Sequence, residues 1–157
     1  AVDWLARDKD SQVLDLFCGL GNFSLALARR AERVLGVEGA SSLVKKAQEN
    51  AAANKVENAQ FEARDLFSDT VADWDPGNFS HVLVDPPRSG AIEALKTICT
   101  KVVPDALAYV SCNPATLARD AAYLTGPGGY QLTRLAVADM FPHTAHVESA
   151  ALFVRCA

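Results

Sequence analysis

The chain has 157 residues, half of them hydrophobic and 22% charged, with a formal net charge of −4. That length and balance fit one globular domain with a full core and exclude a disordered or fibrous chain. No apolar run approaches the roughly 20 residues of a membrane helix, and an acidic chain lacks the overall basic footprint of a nucleic-acid binder.

Asp3, Arg7, Asp8, Lys9 and Asp10 crowd the start, which is no signal-peptide pattern. Four scattered cysteines without a Cys-x-x-Cys pair imply reduced thiols in a cytoplasmic protein, and argue against a zinc ribbon or disulfide framework. Any RNA or DNA role must use a local patch or a segment outside these residues. The start at Ala1, without methionine, reads as that of a fragment.

In chain order, residues 12–18 are predicted to form a strand ending at Gly19. Residues 22–30 have helical composition, with Leu25, Leu27 and Ala28 available to pack. A second strand at 33–38 precedes an amphipathic helix at 41–54, with Ser41 as its expected N-cap. Strands at 59–64 and 81–84 flank a turn-rich loop at 73–78. A helix at 91–100 leads to a strand at 106–112, which Asn113-Pro114 stops. The helix at 114–124 then has proline at its first position. The last strands, 130–138 and 149–156, come without a clear helix between them, so one is expected to run antiparallel. This βαβα alternation predicts an α/β fold, a mostly parallel seven-stranded sheet with helices on both faces.

Candidate chemistry gathers at the strand ends. DLFCGLGNFSLALA, residues 15–28, is a glycine-rich turn between the first strand and first helix. Glycines there allow close backbone approach to a ligand. Ser24 stands where a dinucleotide fingerprint needs its third glycine, so the turn suits a ligand without a pyrophosphate, such as S-adenosylmethionine. A plain tight turn is the alternative. Glu38 ends the second strand, where an acid can accept ribose hydroxyls; alone it could be a solvated carboxylate. Asp65, in ARDLF, is placed either for an adenine edge or for a helix N-cap. In LVDPPRSGA two prolines hold Asp85 in a fixed, extended backbone. The residue after those prolines is Arg88, not the aromatic of amine methyltransferases, and the loop lacks the cysteine of cytosine-5 enzymes.

YVSCNPATLARD delivers Cys112 to the tip of an apolar strand. By itself, burial is the commoner reading of such a thiol; chemistry is the other, since ligands bind at strand tips in open α/β sheets. His143, His146 and Glu148 lie close together in ADMFPHTAHVES, but their spacing is not that of a zinc helix, and no metal is expected.

Taken in order, DLFCGLGNFSLALA, GVEG, DPPRSGA, YVSCNPATLARD and DMFPHTAHVES resemble the catalytic domain of the bacterial RNA uracil-5-methyltransferases over essentially the whole chain. The resemblance is greatest to the members acting on 23S ribosomal RNA, with the tRNA members near relatives. It implies a Rossmann-like class I methyltransferase fold and S-adenosylmethionine as cofactor, held by Phe17, Asn22, Glu38, Asp65 and Asp85. It further implies Cys112 as the nucleophile that attacks uracil C6 and Glu148 as the base that removes the C5 proton. RNA is the implied partner, 23S rRNA above all, bound mainly through N-terminal domains absent from these 157 residues. The chain is read as a cytoplasmic monomer without membrane contact. A metal-dependent hydrolase built on His143, His146 and Glu148 and a non-catalytic cofactor-binding domain are the rival readings.

Overall fold

A computed structural model describes residues 1–5, 9–139 and 147–156. Its elements in order are α1 (Val2–Leu5), β1 (Gln12–Leu16), α2 (Asn22–Ala28), β2 (Arg33–Glu38), α3 (Ser41–Ala53), β3 (Ala59–Ala63), β4 (His81–Val84), α4 (Ile92–Thr97), β5 (Ala106–Ser111), α5 (Pro114–Thr125), β6 (Tyr130–Ala138) and β7 (Glu148–Arg155). The seven strands form one sheet in the order β3-β2-β1-β4-β5-β7-β6. β7 runs antiparallel to both of its neighbours and the remaining pairs are parallel. The fold is the Rossmann-like class I methyltransferase architecture.

The central strands read as unbroken apolar runs because both faces of the sheet are covered. Successive side chains alternate between two cores. Leu14, Val82, Leu107 and Phe153 pack with Leu95 of α4 and Leu117 of α5. Val13, Leu83, Ala108 and Leu152 point the other way and pack with Leu5 of α1 and Leu27 of α2. One glycine is demanded by this packing: a Cβ on Gly36 would lie 2.7 Å from the Phe61 ring and 2.9 Å from Cys18 Sγ. The strand order reverses between β1 and β4, and in open α/β sheets the crevice at such a switch point is where ligands sit.

Several boundaries differ from the sequence reading, each for a local reason. β1 stops at Leu16 because Phe17 adopts a left-handed φ of +62°. Ser41 is the first residue of α3 and not its cap: Ala40 is the N-cap, and Glu38 Oε1 accepts its N–H at 3.1 Å. α4 covers Ile92–Thr97 and continues as a π-helical turn, Ile98–Val102, that ends where Val103 takes φ +49°. Two short elements carried too few residues to show a period: α1, and a 3-10 turn at Asp69–Asp73 whose Val71 is buried. β7 begins one residue earlier than expected, at Glu148. β6 is an edge strand; Leu132, Leu135 and Val137 remain exposed and line a groove of about 370 Å³ beside α5. Among the described residues no helix is long and apolar enough to cross a membrane.

Candidate active site

The C-terminal ends of β1 to β4 open onto a cavity of about 260 Å³ lined by Phe17, Glu38, Asp65, Phe67, Asp85 and their neighbours. Each strand contributes one residue at or just past its tip, so the shared direction of parallel strands gathers side chains that lie far apart in sequence. Phe17 turns into the cavity after β1, and its ring lies 5.3 Å from that of Phe67. Glu38, the last residue of β2, accepts from the Gly19 N–H through Oε2 and from the Ala40 N–H through Oε1, both at 3.1 Å. Its carboxylate thereby ties the glycine turn to the start of α3. Asp65 caps a turn rather than a helix, its Oδ1 accepting from the Phe67 N–H at 2.8 Å.

Four of the five residues assigned to the cofactor from sequence therefore line one cavity. Asn22 does not. It is the exposed first residue of α2, outside that lining, and Gly21 ahead of it takes φ +84° where a Cβ would lie 3.2 Å from the Phe61 ring. Phe67 was not singled out from sequence, although it follows Asp65 in the same ARDLF stretch.

Asp15 was also missed. It is fully buried within β1, its Oδ2 accepts from Ser24 Oγ at 2.5 Å, and its Oδ1 has no partner among the described residues. Its signal was there: a lone acid inside an apolar strand is rarely tolerated without a partner. Ser24, which breaks the dinucleotide fingerprint, is the residue that holds it.

The second half of the site lies where β4, β5 and β7 meet. The β5–β7 ladder pairs Ser111 with Ser149 as its last rung. Cys112 follows the last residue of β5 and Glu148 is the first residue of β7, so both lie at the same end of this antiparallel ladder. Asp85 is the third member. Burial and then the nearby Glu148 charge push its carboxyl up to about 6. Of the four cysteines, Cys18 and Cys99 are poor nucleophiles, since burial pushes their thiols up to about 12 and about 11. Cys156 is exposed just past the end of β7 that lies away from Glu148. Cys112 is partly exposed at the open end of the sheet.

His143 and His146 lie outside the described residues, so the rival metal site is not described. Among the described residues no group of three or more His, Cys, Asp or Glu side chains could hold a metal.

The buried acids make a stability prediction. Burial pushes Asp15 up to about 7, with the Ser24 hydrogen bond opposing the rise and the Asp85 charge adding to it. A carboxyl raised on folding binds its proton more tightly in the folded state. Its contribution is therefore most favourable below the unfolded pKa of about 3.9, and is lost as pH rises from there through about 7. Asp85 acts with the same sign up to about 6. Asp15→Asn should accordingly raise Tm at pH 8, by about 5 °C, and leave it little changed at pH 4. Thermal melts across this range check it; parallel profiles for the two proteins would show that the Asp15 charge is carried without cost.

The chain is similar to known proteins over nearly its whole length. A 23S rRNA (uracil(1939)-C(5))-methyltransferase RlmD of Alkalilimnicola ehrlichii is 55% identical over 157 residues, covering 99% of this chain and 35% of that protein. The enzyme of the same name from Pseudomonas aeruginosa is 53% identical over 98% of the chain and 34% of its own length. The chain thus spans about a third of the length of these curated relatives. The crystal structure of Pyrococcus abyssi tRNA (uracil-54, C5)-methyltransferase in complex with S-adenosyl-L-homocysteine superposes with a TM-score of 0.82 at 33% identity, covering 98% of this chain and 37% of that one. The sequence profile described as tRNA (Uracil-5-)-methyltransferase matches residues 1–156, and the chain belongs to that family.

Proposed function

We propose that this chain is the catalytic part of an enzyme that methylates C5 of a uridine in 23S rRNA, with S-adenosylmethionine as the methyl donor. One observation carries the reading: the β5–β7 ladder ends on the Ser111–Ser149 pair, so Cys112 and Glu148 leave it at the same end, and the Glu148 charge acts on Asp85 of the cavity lining. The choice of 23S rRNA over tRNA rests on identity, 55% to the ribosomal enzyme of A. ehrlichii against 33% to the tRNA enzyme of P. abyssi.

The cavity fits the cofactor chemically. S-adenosylmethionine presents an adenine amino group, two ribose hydroxyls and an ammonium. Against these stand the carboxylates of Asp65, Glu38 and Asp85, all of which line the cavity. Each carboxylate oxygen of Glu38 already accepts one backbone N–H and has capacity for a second bond. The rings of Phe17 and Phe67 offer apolar surface to a base or thioether. When bound, the cofactor supplies an electrophilic methyl group.

The rest is done by the chain. Uracil C5 is a weak nucleophile until something adds at C6. The Cys112 thiolate forms an S–C6 bond, and the C5=C6 electron pair moves onto C5 and its adjoining carbonyl. C5 would then take the methyl carbon from the cofactor, the bond from that carbon to the sulfonium sulfur breaking with its electron pair left on sulfur. Glu148 takes the proton left on C5, the C5=C6 double bond re-forms, and the S–C6 bond breaks to return the thiolate. Asp85 lines the cavity and feels the charge of Glu148, so it links the proposed base to the proposed cofactor site.

Methyl-labelled cofactor, incubated with the full-length protein and unmodified 23S rRNA, should give label that recovers as 5-methyluridine after digestion to nucleosides. Label in another nucleoside, or none, overturns the reading.

A further inference from the structure

Asp120, in the middle of α5, is a fully buried carboxylate surrounded by donors. Its Oδ2 accepts from the Ala91 N–H at 2.8 Å and from Tyr109 Oη at 2.7 Å. Its Oδ1 accepts from Arg119, through Nε at 2.8 Å and with Nη2 at 2.7 Å. Arg119 continues outward, and Nη2 also donates to the Ser89 carbonyl at 2.9 Å. A second tether lies nearer the nucleophile: Asn113 Nδ2 donates to the Arg88 carbonyl at 3.1 Å, while its Oδ1 accepts from the Ala115 N–H at 3.1 Å.

These bonds join two stretches with different tasks. Residues 88–91 follow the Asp85-Pro86-Pro87 turn of the cavity, and residues 109–113 carry Cys112. Gly90 shows how close the contact is: with φ +81°, a Cβ there would lie 2.4 Å from Arg119 Nη2 and 2.6 Å from Asp120 Oδ2. The loop rests directly on the ion pair.

Stability alone does not account for this arrangement. Burying a carboxylate is costly even when it is paired, and an apolar side chain in its place is often as stable. What a satisfied buried carboxylate supplies is a fixed geometry, since each of its bonds has a preferred direction and length. In the reaction proposed above, the thiol must reach one ring carbon while the methyl group reaches its neighbour. Misplacement by about 1 Å can cost a hundredfold in rate.

We propose that Arg119 and Asp120 are positioning residues that lock the 88–91 loop to the Cys112 segment, fixing the nucleophile relative to the cofactor cavity. The proposal rests on Cys112 being the nucleophile. Neither residue touches the reacting atoms.

The test uses the full-length protein with RNA carrying 5-fluorouridine at the target, so that the adduct is trapped after methyl transfer because fluorine cannot leave as a cation. Asp120→Asn retains the volume but turns an amide N–H₂ toward one set of donors. Arg119→Ala removes the half-exposed arm and serves if the buried variant does not fold. Per folded molecule, the rate of Cys112–RNA adduct formation should fall at least tenfold, with cofactor affinity within threefold of wild type. Hydrogen exchange at the Ala91 amide should rise at least tenfold. An unchanged adduct rate in the variants, with a wild type that does form adduct, overturns the positioning role and leaves the nucleophile assignment standing. A cofactor affinity that falls in step with the adduct rate also overturns it, as the mark of a general structural defect. A wild type that forms no adduct overturns both together.

Discussion

Glu148→Gln, in the full-length enzyme, is expected to accumulate a covalent protein–RNA adduct that already carries the transferred methyl group, whereas Cys112→Ala forms none. In the proposed mechanism the two residues act at opposite ends of the same sequence. Without the thiol, nothing adds at C6, C5 stays unreactive, and turnover should fall by at least a thousandfold, the scale of losing a covalent catalyst's nucleophile. Without the carboxylate, addition and methyl transfer proceed, but the C5 proton has no acceptor and elimination stalls. Glutamine keeps the size and much of the hydrogen bonding of glutamate but cannot take up that proton, so the pair of variants isolates one step. Denaturing gels with methyl-labelled cofactor give the answer. A labelled, slowly migrating band in Glu148→Gln and none in Cys112→Ala is the expected pattern. Wild-type turnover by Glu148→Gln would make Glu148 structural, and an adduct in Cys112→Ala would remove the nucleophile assignment.

The Asp85 carboxyl is coupled to the same experiment. Its rise to about 6 comes first from burial and then from the Glu148 charge. Neutralising Glu148 removes the second cause and leaves the first. Asp85 should then ionise at lower pH in Glu148→Gln than in wild type, while remaining above the ordinary carboxylate range.

How much of this was legible in sequence depended on how local the signal was. Glu38, Asp65 and Asp85 stand out because each is an acid that ends or follows a β-rich run, and a parallel sheet brings such ends together. The number and type of the main strands follow from the same runs. Cys112 and Glu148 are different. Their placement at the same end of one ladder depends on β7 entering the sheet antiparallel beside β5, a long-range pairing that no local pattern states, so the family resemblance supplied what periodicity could not. Asp15 was legible as a lone acid in a strand of Val, Leu and Leu, but its partner Ser24 lies in the next helix, where it registered only as a break in the glycine pattern. Arg119 and Asp120 look like surface charges on a helix, and only their partners Ser89 and Ala91 show otherwise. Ser41 was misassigned as a cap because the helix starts one residue earlier than its polar side chain suggests, with Ala40 at the N-cap and no side chain capping it.

Glu38→Ala is expected to weaken S-adenosylmethionine binding at least a hundredfold, the largest loss from any single change in the cavity lining. Two effects add. In the proposed complex the carboxylate accepts both ribose hydroxyls, and hydrogen bonds to a charged group contribute about 1.5–3 kcal/mol each. Two such bonds correspond to roughly a hundredfold to ten-thousandfold in affinity. The same carboxylate also holds the Gly19 and Ala40 N–H groups, so its removal frees the glycine turn that the cofactor lies against. Glu38→Gln separates the two effects. Its single carbonyl oxygen can keep one of these backbone bonds, while its amide must face the other donor. It should therefore bind more tightly than the alanine variant and more weakly than wild type. Because Glu38 is only half-buried, the fold should survive both changes. Calorimetry with S-adenosylmethionine and with S-adenosylhomocysteine measures the order wild type, Gln, Ala. The two ligands should lose affinity equally, since the ribose is common to them. Unchanged binding in Glu38→Ala would take the ribose out of this end of the cavity, and with it the assignment of Asp65 to the adenine.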